Sequence, residues 1–217
     1  MKFFVDTGNL ADITRLTALG IIDGVTTNPS LMAKEKGDPD EIIRSICRTV
    51  QGPVSAEVLA IDADEMIAEG IRLAAIDPHV VVKVPFTPAG VRATKALSAQ
   101  GHRVNVTLIF SPTQALIAAK VGAAYVSPFI GRLDDIATDG MALIRQIVEI
   151  YRNYDFRTEI LVASVRHPMH IVEAARLGAD VCTCPPSVLD ACFKHPLTDI
   201  GLEKFLKDWE KAQAARK

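Results

Sequence analysis

The sequence predicts an α/β fold in which short buried strands alternate with amphipathic helices, followed by one additional C-terminal helix. Two observations predict it: short apolar runs recur along the 217 residues, and segments with a helical stripe and a helix-start signal lie between them. About eight such strands are present, the number that a closed (β/α)8 barrel (TIM barrel) requires. No linker, charge block or low-complexity segment divides the chain, so we expect residues 1–217 to form a single barrel domain.

The strand candidates are short runs rich in β-branched and other apolar residues. They are Phe3–Val5, Gly24–Thr27, Val54–Val58, Val80–Val84, Arg103–Thr107, Ala124–Ser127, Glu159–Ala163 and Asp180–Thr183. The fourth run is almost entirely valine, which is typical of a strand that is buried on both faces of a parallel sheet.

The segments between the strands carry helix-start signals. Asp38 offers an N-cap directly before a proline, which is favoured at the first helical position. Ser111 with Gln114, and Asp62 with Glu65, have the spacing of a capping box. These signals place helices between successive strands, as a barrel of this class requires.

An open, doubly wound sheet is the alternative arrangement for alternating strands and helices. The sequence contains no Gly-x-Gly-x-x-Gly turn and no Walker loop, which disfavours that arrangement without excluding it. After the last strand we predict a terminal amphipathic helix at about residues 198–214. Its apolar stripe, which would pack on this barrel or on a neighbouring subunit, consists of Leu202, Phe205, Leu206 and Trp209.

The composition is that of a globular protein, with 49% hydrophobic and 23% charged residues and a net charge of −2. A net charge of this size gives no sign of the positive charge excess that binds nucleic acid or an anionic membrane. No apolar segment approaches the ~18 residues of a membrane span, and the N-terminus lacks a signal-peptide pattern. The four cysteines have neither a disulfide framework nor zinc-ligand spacing. We therefore expect a cytoplasmic protein with reduced cysteines.

A lysine interrupts the valine strand at position 83. Burial of an unpaired ammonium is costly, so a dry environment favours the neutral amine. A neutral amine is a nucleophile that forms a Schiff base with a carbonyl carbon. The alternative is that Lys83 reaches water at the strand end or pairs with a carboxylate.

Polar side chains accumulate at the C-terminal ends of the predicted strands, where barrels of this class place their active sites. Side chains alternate along a strand, so residues two apart share a face. If Lys83 points inward, Val82 and Val84 point outward, and the same parity brings polar residues of seven strands to one mouth. These residues are Asp6, Thr26, Asn28, Ser55, Glu57, Lys83, Asn105, Thr107, Ser127, Ser164 and Arg166, with Phe129 beside them.

The motifs around these positions resemble those of the transaldolases, and in particular the short-chain group that also contains the fructose-6-phosphate aldolases. The match spans nearly the whole chain in order, and the segment Thr26–Leu31 is its most specific part. The matching motifs are Val5-Asp6-Thr7, Thr26-Thr27-Asn28-Pro29-Ser30-Leu31, Lys83-Val84-Pro85, Asn105-Val106-Thr107-Leu108-Ile109-Phe110-Ser111, Ser127-Pro128-Phe129-Ile130-Gly131-Arg132 and Ser164-Val165-Arg166. The resemblance implies a Schiff-base enzyme of the pentose phosphate pathway that acts on sugar phosphates and uses neither metal nor organic cofactor.

The resemblance also implies a role for each matching position. Lys83 corresponds to the imine-forming lysine and Asp6 to the acid/base at the substrate's C4 hydroxyl. Glu57 and Thr107 resemble the pair that holds a water and shuttles protons during dehydration of the carbinolamine. Substrate contacts carried over in the same way are Thr26, Asn28, Asn105, Ser127 and Phe129 around the dihydroxyacetone unit, and Arg132, Ser164 and Arg166 around the phosphate.

Several of these residues have simpler interpretations. Asp6 and Glu57 could only pair with Lys83, and Asn28 could only satisfy the backbone at a turn before a proline. Arg132 could form a surface ion pair with an acid two or three residues later. His167 and His170 lie three apart on a predicted helix but lack a third metal ligand.

Three functional readings remain open at this point. A transferase keeps the dihydroxyacetone enamine until an acceptor aldehyde arrives, whereas a lyase protonates and releases it. In the related aldolases a glutamine and a tyrosine stand where this chain has Glu57 and Phe129, so the resemblance favours transfer. A non-catalytic barrel that binds phosphosugars is the third reading. Short-chain relatives form ring-like homo-oligomers, with a decamer of two pentamers as one candidate assembly.

Overall fold

Eight parallel strands close on themselves in sequence order, with β1 hydrogen-bonded to both β2 and β8. The computed structural model describes residues 1–216. The strands are β1 (Lys2–Asp6), β2 (Gly24–Thr26), β3 (Val54–Glu57), β4 (Val80–Pro85), β5 (Val104–Ile109), β6 (Tyr125–Pro128), β7 (Glu159–Val162) and β8 (Val181–Cys184). The closed barrel confirms the predicted fold class and excludes the open sheet, because a closed sheet has no edge strand.

Eleven helices lie within residues 1–216 and surround or extend this barrel. They are α1 (Leu10–Ala18), α2 (Pro29–Met32), α3 (Pro39–Val50), α4 (Ala63–Ala74), α5 (Pro88–Ala99), α6 (Pro112–Lys120), α7 (Ile130–Asp134), α8 (Gly140–Asn153), α9 (Pro168–Leu177), α10 (Pro186–Cys192) and α11 (Pro196–Ala214). Every strand candidate is found, with its ends shifted by at most two residues, and α11 begins two residues before the predicted start.

Side-chain capping explains where the helices begin. The Asp38 carboxylate accepts from the Asp40 amide at the start of α3, as its position before proline predicts. Ser111 and Gln114 form the predicted capping box at α6. Asp62 accepts only from the amide of Asp64, so α4 has a simple N-cap and the capping-box prediction there is wrong.

The barrel has two separate apolar layers, which set where polar side chains can lie. Val82, Val84, Val104 and Val106 are fully buried in the layer between the strands and the helices, which confirms the predicted outward parity. The opposite faces fill the lower lumen with a second cluster, whose buried members are Phe4, Val81, Tyr125, Leu161, Ala163 and Val181. We call this apolar cluster the plug. The polar side chains of the lumen lie above the plug, toward the C-terminal strand ends.

A glycine in β2 makes room for the plug. A Cβ atom at Gly24 would lie 2.6 Å from the Phe4 ring, which is closer than side chains pack. The ring of Phe4 can therefore cross the lumen and contact Tyr125, with 6.2 Å between the two ring centroids.

Helix α11 buries none of its side chains against the barrel. Six large apolar side chains along it are more than half exposed: Leu197, Ile200, Leu202, Phe205, Leu206 and Trp209. Of the two positions considered for this helix, packing on its own barrel is therefore wrong. Within the described residues, no helix combines the length and the hydropathy that a bilayer crossing demands.

Candidate active site

The polar residues predicted at the strand ends surround one cavity of about 460 Å³ at the C-terminal mouth of the barrel. Nine of the twelve predicted site residues line it: Asp6, Thr26, Asn28, Lys83, Ser127, Phe129, Arg132, Ser164 and Arg166. The other three, Glu57, Asn105 and Thr107, contact the lining residues or lie beside them on β3 and β5. The inward parity expected from Lys83 therefore agrees with the positions of Asp6, Thr26 and Ser127 at this cavity.

Lys83 lies in β4 with only 4% of its surface exposed. Its Nζ atom is 2.9 Å from Oε2 of Glu57 on the neighbouring strand β3, and it donates to the Thr27 carbonyl oxygen at 2.9 Å. Of the arrangements considered for Lys83, pairing with a carboxylate is the one found, because parallel register places Glu57 directly beside Lys83. A contact of this length makes Glu57 the immediate acceptor for a proton that leaves the lysine.

Glu57 lies between two cavities. Its carboxylate contacts Lys83 on one side and lines a second cavity of about 350 Å³ among α2, α3 and α4 on the other. The strand end beyond Glu57 is held by Glu69, whose carboxylate accepts from the amides of Leu59 and Ala60 at 2.9 and 3.0 Å. The backbone that follows Glu57 is therefore held in place by Glu69, while the Glu57 carboxylate itself contacts Lys83.

Asp6 ends β1 on the opposite side of the mouth. The Thr26 hydroxyl donates to Oδ1 of Asp6 at 2.7 Å, and the same hydroxyl is 2.6 Å from that of Thr183. Since the proton of Thr26 is used on Asp6, Thr183 must be the donor of the second bond. Burial raises the pKa of Asp6, while the Thr26 bond and the charge of Lys83 oppose that rise.

A hydrogen-bonded chain fixes the amide of Asn105 on the other side of Lys83. Asn105 donates from Nδ2 to the Ser55 hydroxyl at 3.1 Å and accepts from the Ser127 hydroxyl at 2.7 Å. Thr107 lies two residues further along the same face. Its Oγ1 atom is buried and has no hydrogen-bond partner among residues 1–216.

Asn28 caps a helix and also lines the cavity. Its Oδ1 atom accepts from the Leu31 amide at 2.9 Å and caps α2, as the turn interpretation predicts. The side chain also lines the cavity. Because the oxygen is already used, the Nδ2 group is the part that can donate to a ligand.

The outer end of the cavity is cationic. Arg132 on α7, Arg166 after β7 and Lys34 after α2 all line it. Arg166 donates from Nη2 to Asp135 at 2.8 Å, and Asp134 contacts His170 instead of Arg132. The acids near Arg132 therefore pair with other residues, and the predicted local ion pair of Arg132 is absent from the part of the chain that the structure describes.

Phe129 closes the inner wall between the lysine and the arginines. It forms an isolated bridge with Ala163, and its ring meets Phe110 edge-on with 5.9 Å between centroids. The Phe129 ring, packed on Phe110, places an apolar surface without a hydroxyl group in the cavity wall.

Sequence reasoning missed two polar residues of the cavity. Thr183 lies on the inward face of β8, two residues after the plug residue Val181, so strand parity could have found it. Lys34 follows a four-residue helix in the β2–α3 connection, and no periodic pattern predicts where such a loop places its side chain.

The histidine pair is used within the protein. The two rings are tilted by 39° with 3.8 Å between their centroids, and both nitrogens of His170 have protein partners. No group of three potential metal ligands occurs in the portion of the chain covered by the structure, residues 1–216.

The fold and the cavity together define a (β/α)8-barrel protein with a lysine and two acids at its C-terminal mouth. A family model described as transaldolase/fructose-6-phosphate aldolase matches residues 3–216. The chain belongs to this family, which confirms the resemblance drawn from its motifs.

Three relatives with similar sequences are each named probable transaldolase. A probable transaldolase of Syntrophobacter fumaroxidans is 58% identical over 220 residues, covering 100% of both chains. That of Nitrosopumilus maritimus is 60% identical over 215 residues, covering 99% of this chain and 97% of the relative. That of Aquifex aeolicus is 58% identical, with 97% of each chain covered.

Solved structures with little sequence similarity share the fold. A 3-hexulose-6-phosphate synthase aligns with a TM-score of 0.65 at 19% identity, covering 88% of this chain and 93% of its own. A thiamine phosphate pyrophosphorylase from Pyrococcus furiosus aligns with a TM-score of 0.57 at 15% identity, covering 85% of each chain. At these identities the likeness concerns the barrel alone.

Proposed function

We propose that this protein is a transaldolase. It would move a dihydroxyacetone unit from sedoheptulose 7-phosphate or fructose 6-phosphate to glyceraldehyde 3-phosphate or erythrose 4-phosphate. The observation that carries the proposal is the buried Lys83 amine, 2.9 Å from Glu57 and in the same cavity as Asp6. A nucleophile, a proton acceptor and a second carboxylate on separate strands suit Schiff-base chemistry.

The first half-reaction forms the imine. Glu57 takes a proton from the Lys83 ammonium, and the free amine attacks C2 of the ketose to give a carbinolamine. Glu57 returns the proton to the carbinolamine hydroxyl, which leaves as water and produces the iminium. Thr107, whose buried hydroxyl has no partner among residues 1–216, would hold that water.

The second step breaks the C3–C4 bond. Asp6 takes the proton of the C4 hydroxyl, the C4 oxygen becomes an aldehyde, and the bonding electrons pass to the iminium as an enamine on Lys83. The aldehyde leaves, the acceptor enters, and the enamine carbon attacks it while Asp6 returns its proton. The raised pKa of Asp6 favours uptake of this proton.

Binding residues divide by their chemistry. Asn28, Asn105 and Ser127 supply amide and hydroxyl groups around the reacting carbons, with Thr26 orienting Asp6. The phosphate would lie at the cationic end, where guanidinium groups match phosphate oxygens in a fork geometry. The groups there are Arg132, Arg166, the Ser164 hydroxyl and the Lys34 ammonium.

Transfer is favoured over release by the wall at Phe129. The ring packs on Phe110 and brings no hydroxyl that could position a water beside the enamine. Exclusion of water protects the enamine from protonation until an aldehyde arrives. The lyase alternative would need a proton donor at that point.

A two-stage assay tests the reaction. Incubation with fructose 6-phosphate alone should release little free dihydroxyacetone, and added erythrose 4-phosphate should yield sedoheptulose 7-phosphate rapidly. Rapid dihydroxyacetone release with no gain on adding the acceptor would indicate the lyase. Phe129→Tyr should raise dihydroxyacetone release relative to transfer, and an unchanged ratio would contradict the role given to the ring.

Borohydride trapping tests the covalent step and separates an enzyme from a barrel that only binds phosphosugars. Fructose 6-phosphate with borohydride should give a stable adduct that maps to Lys83, and Lys83→Ala should abolish both adduct and turnover. Lys95→Ala, at an exposed position of α5, is the matched control and should retain both. Absence of any substrate-dependent adduct would favour the binding module.

A homo-oligomer is part of the proposal, because six large apolar side chains of α11 are exposed and a neighbouring subunit could cover them. A ring-like assembly, such as a decamer of two pentamers, fits this arrangement. Light scattering of the protein with Trp209→Ser should show a smaller species if α11 forms the contact. A cytoplasmic location fits the four free cysteines.

A further inference from the structure

The two arginines at the cationic end belong to different segments. Arg132 is carried by α7, which follows β6, and Arg166 belongs to the connection between β7 and α9. Both side chains are exposed at the mouth, so their separation depends on how the two segments are joined. One buried side chain, His170 of α9, contacts both segments and is 6% exposed: its ring is hydrogen-bonded to the Arg166 amide, and its Nε2 atom lies 3.2 Å from the Asp134 carboxylate.

The contacts of His170 define its protonation state. The Arg166 backbone amide donates to Nδ1 at 3.2 Å, so Nδ1 carries no proton. The hydrogen of the neutral ring is then on Nε2, which faces the Asp134 carboxylate with 3.2 Å between Nε2 and Oδ2. The other oxygen of Asp134 accepts from the Gly140 amide at 3.0 Å and joins α7 to α8.

We propose that neutral His170 is a positioning residue that fixes Arg166 relative to Arg132 and so sets the affinity of the site for a phosphate group. This inference rests on the proposed function, since it takes the two arginines as the phosphate site. It assigns a role in phosphate binding to a residue that need not contact substrate. Asp134 is the second residue of this connection between α7 and the Arg166 segment.

The surroundings of the connection support such a role. Ser164 has a left-handed backbone with φ of 60°, a conformation that a serine holds only when its surroundings enforce it. Its carbonyl accepts from the Gly131 amide of α7 at 3.1 Å, and Arg166 pairs with Asp135. The bonds of His170 complete the attachment of this strained segment to α7.

Charged groups around the ring determine its response to pH. On its own helix and the preceding residue these are Glu173 and His167, on the connection Arg166, and on α7 Asp134. From α8, Arg145 lies in the same surface cleft as Glu173. Burial and His167 lower the pKa of His170 below its ordinary value, and Asp134 opposes this change.

Protonation of His170 would change the affinity of the site for an anion in two opposite ways. An added positive charge near the site would strengthen anion binding by Coulomb attraction. A proton on Nδ1 would face the Arg166 amide, so a hydrogen bond would be replaced by two opposed donors and the connection would be released. The proposal requires that the loss of position outweighs the gain in charge.

Sulfate is a suitable probe because it stays a dianion where phosphate titrates. We would measure its competitive inhibition constant against fructose 6-phosphate from acidic to alkaline pH. The wild type should bind sulfate more weakly as His170 is protonated. His170→Asn, which keeps an acceptor near Nδ1 but loses the donor to Asp134 and cannot titrate, should bind about tenfold more weakly at neutral pH, without this acid dependence.

Controls separate this inference from the proposed function. His167→Asn should retain the acid dependence, and all variants should still be trapped on Lys83 by borohydride with unphosphorylated dihydroxyacetone. Asp134→Leu removes the acceptor of Nε2 and provides a second test if His170→Asn folds poorly by its thermal midpoint. Two outcomes would overturn the role of His170 alone. One is that the wild type binds sulfate more tightly in acid. The other is that His170→Asn keeps wild-type sulfate affinity while Arg166→Ala loses sulfate binding. Sulfate binding that Arg166→Ala leaves unchanged would overturn the phosphate site itself.

Discussion

A methyl group added at Gly131 should disable the phosphate end of the site while leaving the lysine chemistry in place. The Cβ atom of Gly131→Ala would lie 2.2 Å from the Ser164 carbonyl oxygen and 2.5 Å from Nε of Arg166, whereas real Cβ contacts stay beyond 3.0 Å. Helix α7 and the Ser164–Arg166 segment must then separate by about 0.8 Å, and the bond from the Gly131 amide to Ser164 is stretched. Overpacking of this kind lowers the free energy of unfolding by about 1–3 kcal/mol.

The kinetic consequence follows from the displacement. A shift approaching 1 Å in a positioning group can reduce kcat/KM by up to ~10²-fold, and we expect at least about tenfold here, mainly through KM for phosphorylated substrates. The assays are steady-state kinetics with fructose 6-phosphate, borohydride trapping with dihydroxyacetone, and thermal unfolding. Gly201→Ala is the matched control, because nothing lies within 4 Å of the added atom and activity and stability should be kept. A Gly131→Ala enzyme with KM within twofold of wild type and an unchanged midpoint would refute the reasoning.

Three further substitutions test individual side chains. Thr107→Val removes a buried hydroxyl that has no partner in residues 1–216, so the free energy of unfolding, measured by thermal unfolding, should rise by about 1 kcal/mol while turnover falls. A loss of stability would show that the hydroxyl has a hydrogen-bond partner. Because burial raises the pKa of Asp6, its ionised form weakens the fold above that pKa, so Asp6→Asn should raise the unfolding midpoint at pH 8. That gain should vanish in acid, where the wild-type carboxyl is also protonated, and a gain that is equal at all pH values would contradict this origin. Lys34→Met should raise KM for phosphorylated substrates by about two- to fivefold. Lys36→Met, at a lysine that does not line the cavity, should leave this KM unchanged. Equal effects of the two substitutions would argue against a specific role of Lys34 in phosphate binding.

Strand parity explains why so much of the site was predictable from the sequence. In a barrel, alternation along each strand decides which side chains enter the lumen, and a single inward anchor at Lys83 fixes the rest through parallel register. Asn105 and Glu57 therefore fall beside the lysine without any knowledge of loops. The same register also forms the ion pair with Glu57, which single-strand reasoning had treated only as an alternative.

The connections were harder to predict because their contacts are distant in sequence. Arg166 contacts Asp135, 31 residues away, and Asp134 contacts His170 although one helix and one strand separate them in sequence. No periodic pattern encodes such pairs. The capping-box prediction at Asp62 is wrong for a related reason: side-chain spacing permits the box, while the local backbone selects the simpler cap.

In the proposed homo-oligomer, the exposed apolar side chains of α11 would make the stability of the protein depend on its concentration. A neighbouring subunit that covers Leu197, Phe205 or Trp209 would stabilise the fold more as more of it is present. A melting temperature obtained at one protein concentration would then not apply at another. An affinity tag fused behind this helix would occupy the face on which such coverage depends, so the amino terminus is the safer point of attachment.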